Sequence, residues 1–370
     1  MDNNKVKIGY YEVTAIILVL IGTKAFTGFP RFIVEAGLTA GWIIILESGL
    51  LSIALWLLIS ALLFRFPGKS LTQINNLVLG PAFGILANLI FLSYITINNS
   101  NLLRLFSEAV ILTALPEAPV SSLTFLFIIP ALVAVHIGIE AIGRSTYIAL
   151  PFIVIGTISV LAAIYPFMDH WQLLPLFGSG VGTVLTHGLL SVSGFSEVLI
   201  LAYFVPYFSF DGSKLRRLGI FSIAVSTLAF VLIVAVYLMV IPVPGAQENI
   251  VPFYQLSRMI YLGRYFQRVE AIFILFWTFT AFLWIALGLA VIAIIVRDML
   301  KIPYYRPILP ALSTLFVSIG LTPADFMQSI EIEKFILGTI GWQFTFIPPC
   351  VVYMLSLLRK KGGRVKHDQG

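Results

Sequence analysis

Charged residues and cysteine are scarce in this chain, and their scarcity excludes most classes of soluble protein. Of its 370 residues, 11% are charged and 59% are hydrophobic, and the mean hydropathy is +1.00. Soluble globular chains carry about 25% charged residues, so a soluble enzyme, a nucleic-acid-binding domain and a disordered tail are all disfavoured. The single cysteine, Cys350, lies in an apolar run, which excludes a disulfide framework and a cysteine-based metal site.

Motifs for catalysis and for metal binding are also missing from the sequence. The four histidines are dispersed, and neither an H-E-x-x-H pair nor a G-x-S-x-G elbow occurs. The glycine-rich stretch GSGVG at 178–182 lacks the Lys-Ser/Thr of a phosphate-binding loop. We therefore expect no enzyme activity, no bound metal and no cofactor.

Long apolar runs are what the chain has instead. Each is about 20 residues long, enough to cross roughly 30 Å of hydrocarbon as a helix, whereas the strands of a membrane barrel are shorter and alternate. The pattern predicts an all-α integral membrane protein with a single membrane domain over 1–370. The ten predicted transmembrane segments are at about 10–35, 39–64, 82–112, 121–142, 146–168, 181–208, 217–242, 267–298, 306–322 and 335–358.

The basic residues are distributed unevenly between the two sides of the membrane. If the first residues are cytoplasmic, sixteen Lys and Arg residues fall on that side. Cytoplasmic loops are enriched in Lys and Arg, so the asymmetry predicts that both termini are cytoplasmic. We attribute the net charge of +6 and the pI near 9.3 to this topology and not to a nucleic-acid partner. The basic residues on the other side are Arg258, Arg264, Arg268 and Lys334.

The topology predicts which positions a membrane-impermeant thiol reagent can reach. The variant Lys214→Cys is expected to react only from the cytoplasmic side, because position 214 lies in a loop on that side. Glu248→Cys and Glu331→Cys are expected to react only from the opposite side. Labelling of either of these two from the cytoplasm would contradict the topology.

Two of the ten segments are interrupted by polar residues, glycine and proline. The first contains IGTKAFTGFP, and the sixth contains SVSGFSE followed by Pro206. Unwound backbone at membrane depth is viable only where it lines a cavity or is buried in protein. Breaks in the first helix of each five-helix half are typical of a 5+5 inverted repeat with its binding site at the repeat interface. The sequence therefore predicts a LeuT-like fold with broken helices 1 and 6.

The first break is a candidate ligand site. The second half of the broken helix presents unpaired N–H groups that attract anions. Lys24 adds a positive charge, which suits a ligand carboxylate or takes the place of a coupling ion. The alternative is a structural ion pair with Glu47 or Glu197. The candidate ligand-binding residues here are Gly22, Thr23, Lys24 and Thr27.

The second break offers the opposite charge. Its freed carbonyls and the Glu197 carboxylate suit an ammonium group, a proton or a bound cation, although a structural carboxylate is an equal alternative. A zwitterionic amino acid is therefore expected to place its carboxylate on the second half of helix 1 and its ammonium on the carbonyls of 191–194. The candidate residues are Ser191, Ser193, Gly194 and Glu197.

Polar and aromatic residues of other segments are weaker candidates. Asn98 shares a face of the third segment with Asn101 and Arg104, which predicts either a cavity wall or an Arg104–Glu108 pair at i, i+4 spacing. Trp277, in the eighth segment, either caps an apolar ligand or only packs. Glu47 is either protonated or paired across the bundle.

The loop before the eighth segment is predicted to form a short interfacial helix over the cavity mouth, at 253–262. Apolar Phe253, Leu256, Met259 and Ile260 recur there at helical spacing.

Four stretches of the chain resemble those of a known family. They are RFPGKSLTQINNLVLGPAFG after the second segment, VHIGIEAIGR closing the fourth, LLPLFGSGVGTVLTHG leading into the sixth, and VPFYQLSRMIYLGRYFQRVEAIFILFW before the eighth. In this order they resemble the spore germination permeases, the B subunits of GerA-type germinant receptors in endospore-forming bacteria. The resemblance runs from the first segment to the tenth.

The resemblance implies a relative of the amino acid–polyamine–organocation transporters in the lipid bilayer of the spore inner membrane. It also implies partner A and C subunits and a small-molecule germinant bound at the two breaks. An amino acid with a free carboxylate is favoured if Lys24 points inward, and that preference disappears if it does not.

Three functions remain open on this basis, and the third is a scaffold whose cavity no longer binds a ligand. A receptor subunit binds a nutrient, which shifts its conformational equilibrium, and this change is transmitted to partner subunits. A proton- or sodium-coupled amino acid transporter uses Glu197 or Glu47 as its proton-linked group, or Lys24 in place of the ion. The fold alone does not separate the receptor from the transporter.

Overall fold

The structure is a computed structural model that describes residues 8–260 and 270–362, and these are almost wholly helical. Eight helical stretches are long and apolar enough to cross a membrane, and α1 and α14 are shorter helices. The helices are α1 (Tyr10–Gly22), α2 (Phe29–Gly37), α3 (Gly41–Arg65), α4 (Leu71–Leu79), α5 (Pro81–Thr113), α6 (Val120–Ile137), α7 (Ile139–Ala163), α8 (Val181–Leu190), α9 (Ile200–Phe204), α10 (Gly212–Val240), α11 (Val243–Glu248), α12 (Pro252–Met259), α13 (Glu270–Leu300), α14 (Leu309–Gly320), α15 (Phe326–Phe335), α16 (Gly341–Thr345) and α17 (Ile347–Leu358).

The first predicted segment is broken where the sequence indicates. Helix α1 ends at Gly22, a 3-10 turn covers Thr23–Phe26, and α2 begins at Phe29. Thr27 is extended, and Pro30 lies in the first turn of α2, where its missing N–H leaves no helical bond unmade. The backbone therefore leaves the α-helix for about six residues at the depth of the bundle centre.

The sixth segment is broken in the same way. Helix α8 ends at Leu190, a 3-10 stretch covers Ser191–Leu199, and α9 begins at Ile200. Every residue of Ser191–Leu199 is buried, which satisfies the requirement that irregular backbone at membrane depth be enclosed by protein.

The sixth and eighth segments lie at the centre of the bundle. Apolar windows within Val181–Tyr207 and Phe273–Leu300 are 83% buried, against 28% to 50% in the other six stretches. The 3-10 stretch of the sixth segment contacts α1 and α3, and α13 contacts the 3-10 turn of the first. The two breaks therefore meet inside a shell formed by the remaining helices.

Two inner boundaries differ from the predicted ones. Helix α6 ends at Ile137 and α7 starts at Ile139, where 142 and 146 were expected, because Gly138 makes the turn with φ of 138°. Helix α10 starts at Gly212 and not at 217. The Asp211 side chain caps it by accepting from the Lys214 N–H at 3.0 Å, so the basic residues belong to the first turns of the helix.

The tenth segment starts nine residues earlier than the predicted 335. Helix α15 begins at Phe326, because Asp325 caps it by accepting from the Gln328 N–H at 2.8 Å. The first turns, FMQSIEIEKF, are too polar for an apolar window, although they lie against α5. A π-helical turn at Ile336–Ile340 then leads into α16 and α17.

The short helix expected before the eighth segment is present as α12 (Pro252–Met259), and its interfacial position over the cavity mouth stays a prediction. Phe253 and Leu256 are fully buried on its inner face, and Arg258 is exposed. The predicted residues 261 and 262 lie outside the described residues. So do the predicted start of the eighth segment at 267 and the basic residues Lys5, Lys7, Arg264, Arg268, Arg364 and Lys366.

Candidate functional site

The two broken helices are joined by one side chain, that of Lys24. Its Nζ donates to the carbonyl of Gly194 at 2.8 Å and to that of Ser193 at 3.3 Å. It also lies 2.5 Å from Oε2 of Glu197. Lys24 and Glu197 are 1% and 6% exposed. Of the two structural partners that the sequence offered, the ion pair is with Glu197.

An ammonium has three protons, and the three acceptors of Lys24 match that number. A buried charge is tolerated when it is paired and hydrogen-bonded in this way. Lys24 therefore points into the bundle. This is the condition under which the sequence favours an amino acid as the ligand. The expected place of a ligand ammonium does not fit this conformation, because the carbonyls of Ser193 and Gly194 already accept from the chain's own ammonium.

The second break also contacts the tenth segment. The Ser193 hydroxyl donates to the carbonyl of Leu337, which lies in the π-helical turn. The Ser196 hydroxyl lies 3.2 Å from the hydroxyl of Tyr94 in α5. The sixth segment is thus attached to the first, third and tenth segments at the break itself.

An inner chamber lies between the end of α1, α5, the second break and α13. Its cavity measures about 20 Å³, room for about one water molecule. The Asn99 side chain packs against Gly288, in the space that a side chain at 288 would fill. A ligand of amino acid size requires movement of the lining side chains, because the cavity has room for only about one water molecule. The polar residues that line it are Tyr94, Asn98, Asn99, Ser196 and Glu197.

An outer chamber lies on the other side of the first break, between the start of α2, α5, α13 and α15. Its cavity measures about 20 Å³. Thr27 and Trp277 line it, as does Glu333 of α15. Glu333 is 1% exposed, and its Oε1 has no hydrogen-bond partner among the described residues. The two chambers are therefore separated by the Lys24–Glu197 pair and the first break.

Sequence analysis missed Glu333 because the predicted tenth segment began two residues after it. The signal that locates it is an N-cap pattern: Asp325 followed three residues later by Gln328 marks a helix start. A helix beginning there extends two turns before Glu333 and buries it.

The remaining candidate residues either pack against other side chains or line one of the two chambers. Arg104 forms an ion pair with Glu108 within α5, which is the structural alternative. Trp277 stacks on Phe273 with ring centroids 5.9 Å apart and also lines the outer chamber. Glu47 is half-buried beside Gly188 and forms no ion pair among the described residues.

A cluster that we call the inner latch joins three elements at the end of the bundle where α1 begins. Arg297 donates to the Tyr207 hydroxyl and pairs with Asp298. The N–H of Ile8 donates to the carbonyl of Tyr207 at 2.9 Å, and Ser209 donates to the carbonyl of Ile8 at 3.1 Å. The latch therefore holds the start of the first segment against the ends of the sixth and eighth.

The spanning helices and the two paired breaks define a multi-pass helical membrane protein. The chain superimposes on the crystal structure of MhsT in complex with L-phenylalanine with a TM-score of 0.69 at 15% identity, over 93% of this chain and 88% of MhsT. This likeness shows the LeuT-like fold. Residues 7–329 match the family described as "Spore germination protein", and the chain belongs to that family of spore germination permeases.

Individual relatives agree with the family. Spore germination protein B2 of Bacillus subtilis (strain 168) is 26% identical over 352 residues, which are 93% of this chain and 94% of that protein. Spore germination protein YndE of the same organism is 22% identical over 366 residues, 96% of this chain and 98% of YndE. The resemblance seen in the sequence is confirmed, and the chain is a multi-pass membrane protein and not an enzyme.

Proposed function

We propose that the chain is the nutrient-sensing membrane subunit of a spore germination receptor. It binds a small germinant, an amino acid, at the two breaks and passes the resulting conformational change to partner A and C subunits. The observation that carries the proposal is the Lys24 bridge between the breaks. A ligand that binds beside this bridge has different affinities for the joined and the separated arrangement, and so shifts the equilibrium between them.

An amino acid is the ligand class that the charges support. Lys24 and Glu197 lie buried on opposite breaks, and the fold neighbour MhsT was solved in complex with L-phenylalanine. The proposal keeps Asn98 and Trp277 as walls, because they line the inner and outer chambers. Its ligand-binding residues at the breaks are Gly22, Thr23, Lys24, Thr27, Ser191, Ser193, Gly194 and Glu197.

The proposal includes a location in the spore inner membrane with both termini in the cytoplasm. The family supports the first part, and the asymmetry of the basic residues supports the second. By this assignment the inner latch lies on the cytoplasmic side.

A proton- or sodium-coupled amino acid transporter is the second candidate. The buried carboxylates at the centre favour it, because Glu197 and Glu333 are groups that a coupling proton or cation binds. The family supports the receptor instead, whereas Lys24 is compatible with both candidates, since a permanently attached cation takes the place of a coupling ion in a transporter as well.

Purified protein in liposomes separates the two candidates. We expect at least one of the twenty L-amino acids to raise the melting temperature saturably, because ligand that binds only the folded state stabilises it. We expect no accumulation of that amino acid under an imposed proton or sodium gradient. Accumulation against a gradient would identify a transporter, and the absence of any saturable thermal shift would contradict the ligand-binding function altogether.

A further inference from the structure

The outer chamber contains an acidic group that forms no ion pair within the described residues, although the Thr27 hydroxyl lies beside it. Glu333 is 1% exposed and lines the chamber, and its Oε1 has no partner among the described residues. No Lys, Arg or His within 8–260 and 270–362 lies within ion-pair distance of it. A buried carboxylate without a cation is costly, so the chamber requires a positive group or a proton.

Lys24 does not supply that positive group. It attracts Glu333 electrostatically, but its three protons are directed at Ser193, Gly194 and Glu197. Lys24 and Glu197 form a pair that is neutral as a whole when both are ionised. Glu333 is therefore the acidic group at the centre whose charge no described side chain balances.

The chamber also contains an unpaired donor. Trp277 is 1% exposed, and its indole Nε1 has no partner among the described residues. An acceptor residue and a donor residue that line one chamber match a ligand that carries both an ammonium and a carboxylate. The rings of Phe26, Phe106 and Trp277 line the same chamber, and aromatic faces attract organic cations.

An inorganic cation fits the chamber less well. Hard cations need several oxygen ligands, and the only side-chain oxygens among the described lining residues are those of Thr27 and Glu333. The Thr27 hydroxyl donates to the carbonyl of Lys24 at 2.9 Å. The remaining walls are apolar and suit the carbon skeleton of an amino acid.

We propose that the outer chamber is the recognition site for the amino acid, with Glu333 receiving its ammonium and the Trp277 N–H its carboxylate. The proposal rests on the proposed function and changes where the ligand sits: the ammonium binds α15, on the outer side of the first break, and not the carbonyls of the sixth segment. In the described conformation the chamber has room for about one water molecule, so binding displaces Phe26 or Phe106.

A series of analogues on the parent protein tests the ligand chemistry. The L-amino acid that gives the largest thermal shift is compared with its decarboxylated amine and with its deaminated acid. We expect the amine to bind and the deaminated acid to lose about 10- to 100-fold in affinity, since it lacks the charged hydrogen bond to Glu333. Equal binding of the deaminated acid would overturn the proposal without the use of any variant.

Substitutions then locate the ammonium. Glu333→Gln is expected to weaken the amino acid and its amine alike by about 10- to 100-fold, and Glu333→Asp is expected to retain part of the affinity. Glu331→Gln, an exposed carboxylate on the same helix, is the matched control and is expected to bind as the parent does. Trp277→Phe is expected to reduce the advantage of the amino acid over its amine.

The possible outcomes are distinct. Unchanged affinity in Glu333→Gln, with saturable binding to the parent, would overturn the chamber assignment and leave the proposed function standing. If no amino acid stabilises the parent, both fail. If Glu333→Gln abolishes stabilisation by sodium chloride over choline chloride, with amino acid affinity unchanged, Glu333 holds an inorganic cation and the assignment is again overturned.

Discussion

Replacing Lys24 by methionine is expected to lower the stability of the purified protein by about 3–5 kcal/mol. The substitution keeps a long apolar side chain but leaves Glu197, which is 6% exposed, without its cation. It also leaves the carbonyls of Ser193 and Gly194 without the donor that joins them to the first segment. Thermal unfolding in nanodiscs, followed by tryptophan fluorescence, measures the loss.

Two further variants make this result specific. Adding Glu197→Gln to Lys24→Met is expected to recover much of the lost stability, because the uncompensated charge is what makes the single variant unstable. Lys334→Met is the matched control: this lysine pairs with Glu35 but is 54% exposed, and an exposed pair contributes about 1 kcal/mol or less. Equal losses in Lys24→Met and Lys334→Met would show that the buried pair does not hold the breaks together.

Arg297→Ala is expected to open the inner latch. The substitution removes the hydrogen bond to Tyr207 and the partner of Asp298, both partly buried. Only the bond to Tyr207 crosses between two elements, because Asp298 is the neighbour of Arg297 in α13. One charged hydrogen bond contributes about 1.5–3 kcal/mol, so the open population is expected to rise by about 10- to 100-fold. The readout is the rate at which Ser196→Cys, in the inner chamber, reacts with a thiol reagent in a Cys350→Ser background.

The control for the latch lies at the same end of the bundle. Arg306 is exposed and makes one long contact, 3.4 Å to the carbonyl of Ile137. We expect Arg306→Ala to leave the reaction rate unchanged. The latch assignment is rejected if Arg297→Ala reacts no faster than Arg306→Ala.

The breaks were predictable from sequence because their signal is local. Glycine, proline and polar residues inside an apolar run mark unwound backbone wherever the run is otherwise helical, and both breaks fall at the expected residues. The sequence alone did not decide which of two carboxylates pairs with Lys24. Glu197 is 173 positions away, and choosing it over Glu47 requires the packing of the first segment against the sixth.

Glu333 was missed for a different physical reason. Hydropathy averages over all faces of a helix, and α15 combines exposed polar residues with one buried face, which lies against α5. A buried face can carry a charge at membrane depth where it lines a cavity. Capping residues locate the start of such a helix better than hydropathy does. They mark where the helical backbone begins, whether the helix faces lipid, water or protein.

The π-helical turn at Ile336–Ile340 changes the direction in which side chains point between the first and the second part of the tenth segment. An α-helix advances about 100° per residue, and a π turn accommodates one extra residue without an extra turn. The face of α15 is therefore rotated by roughly that angle relative to the face that a continuous helix starting from α17 would present. The direction in which the Glu333 side chain points therefore depends on this one added residue. Helix α17 packs against its neighbours, and the direction of the carboxylate on α15 is set separately from that packing.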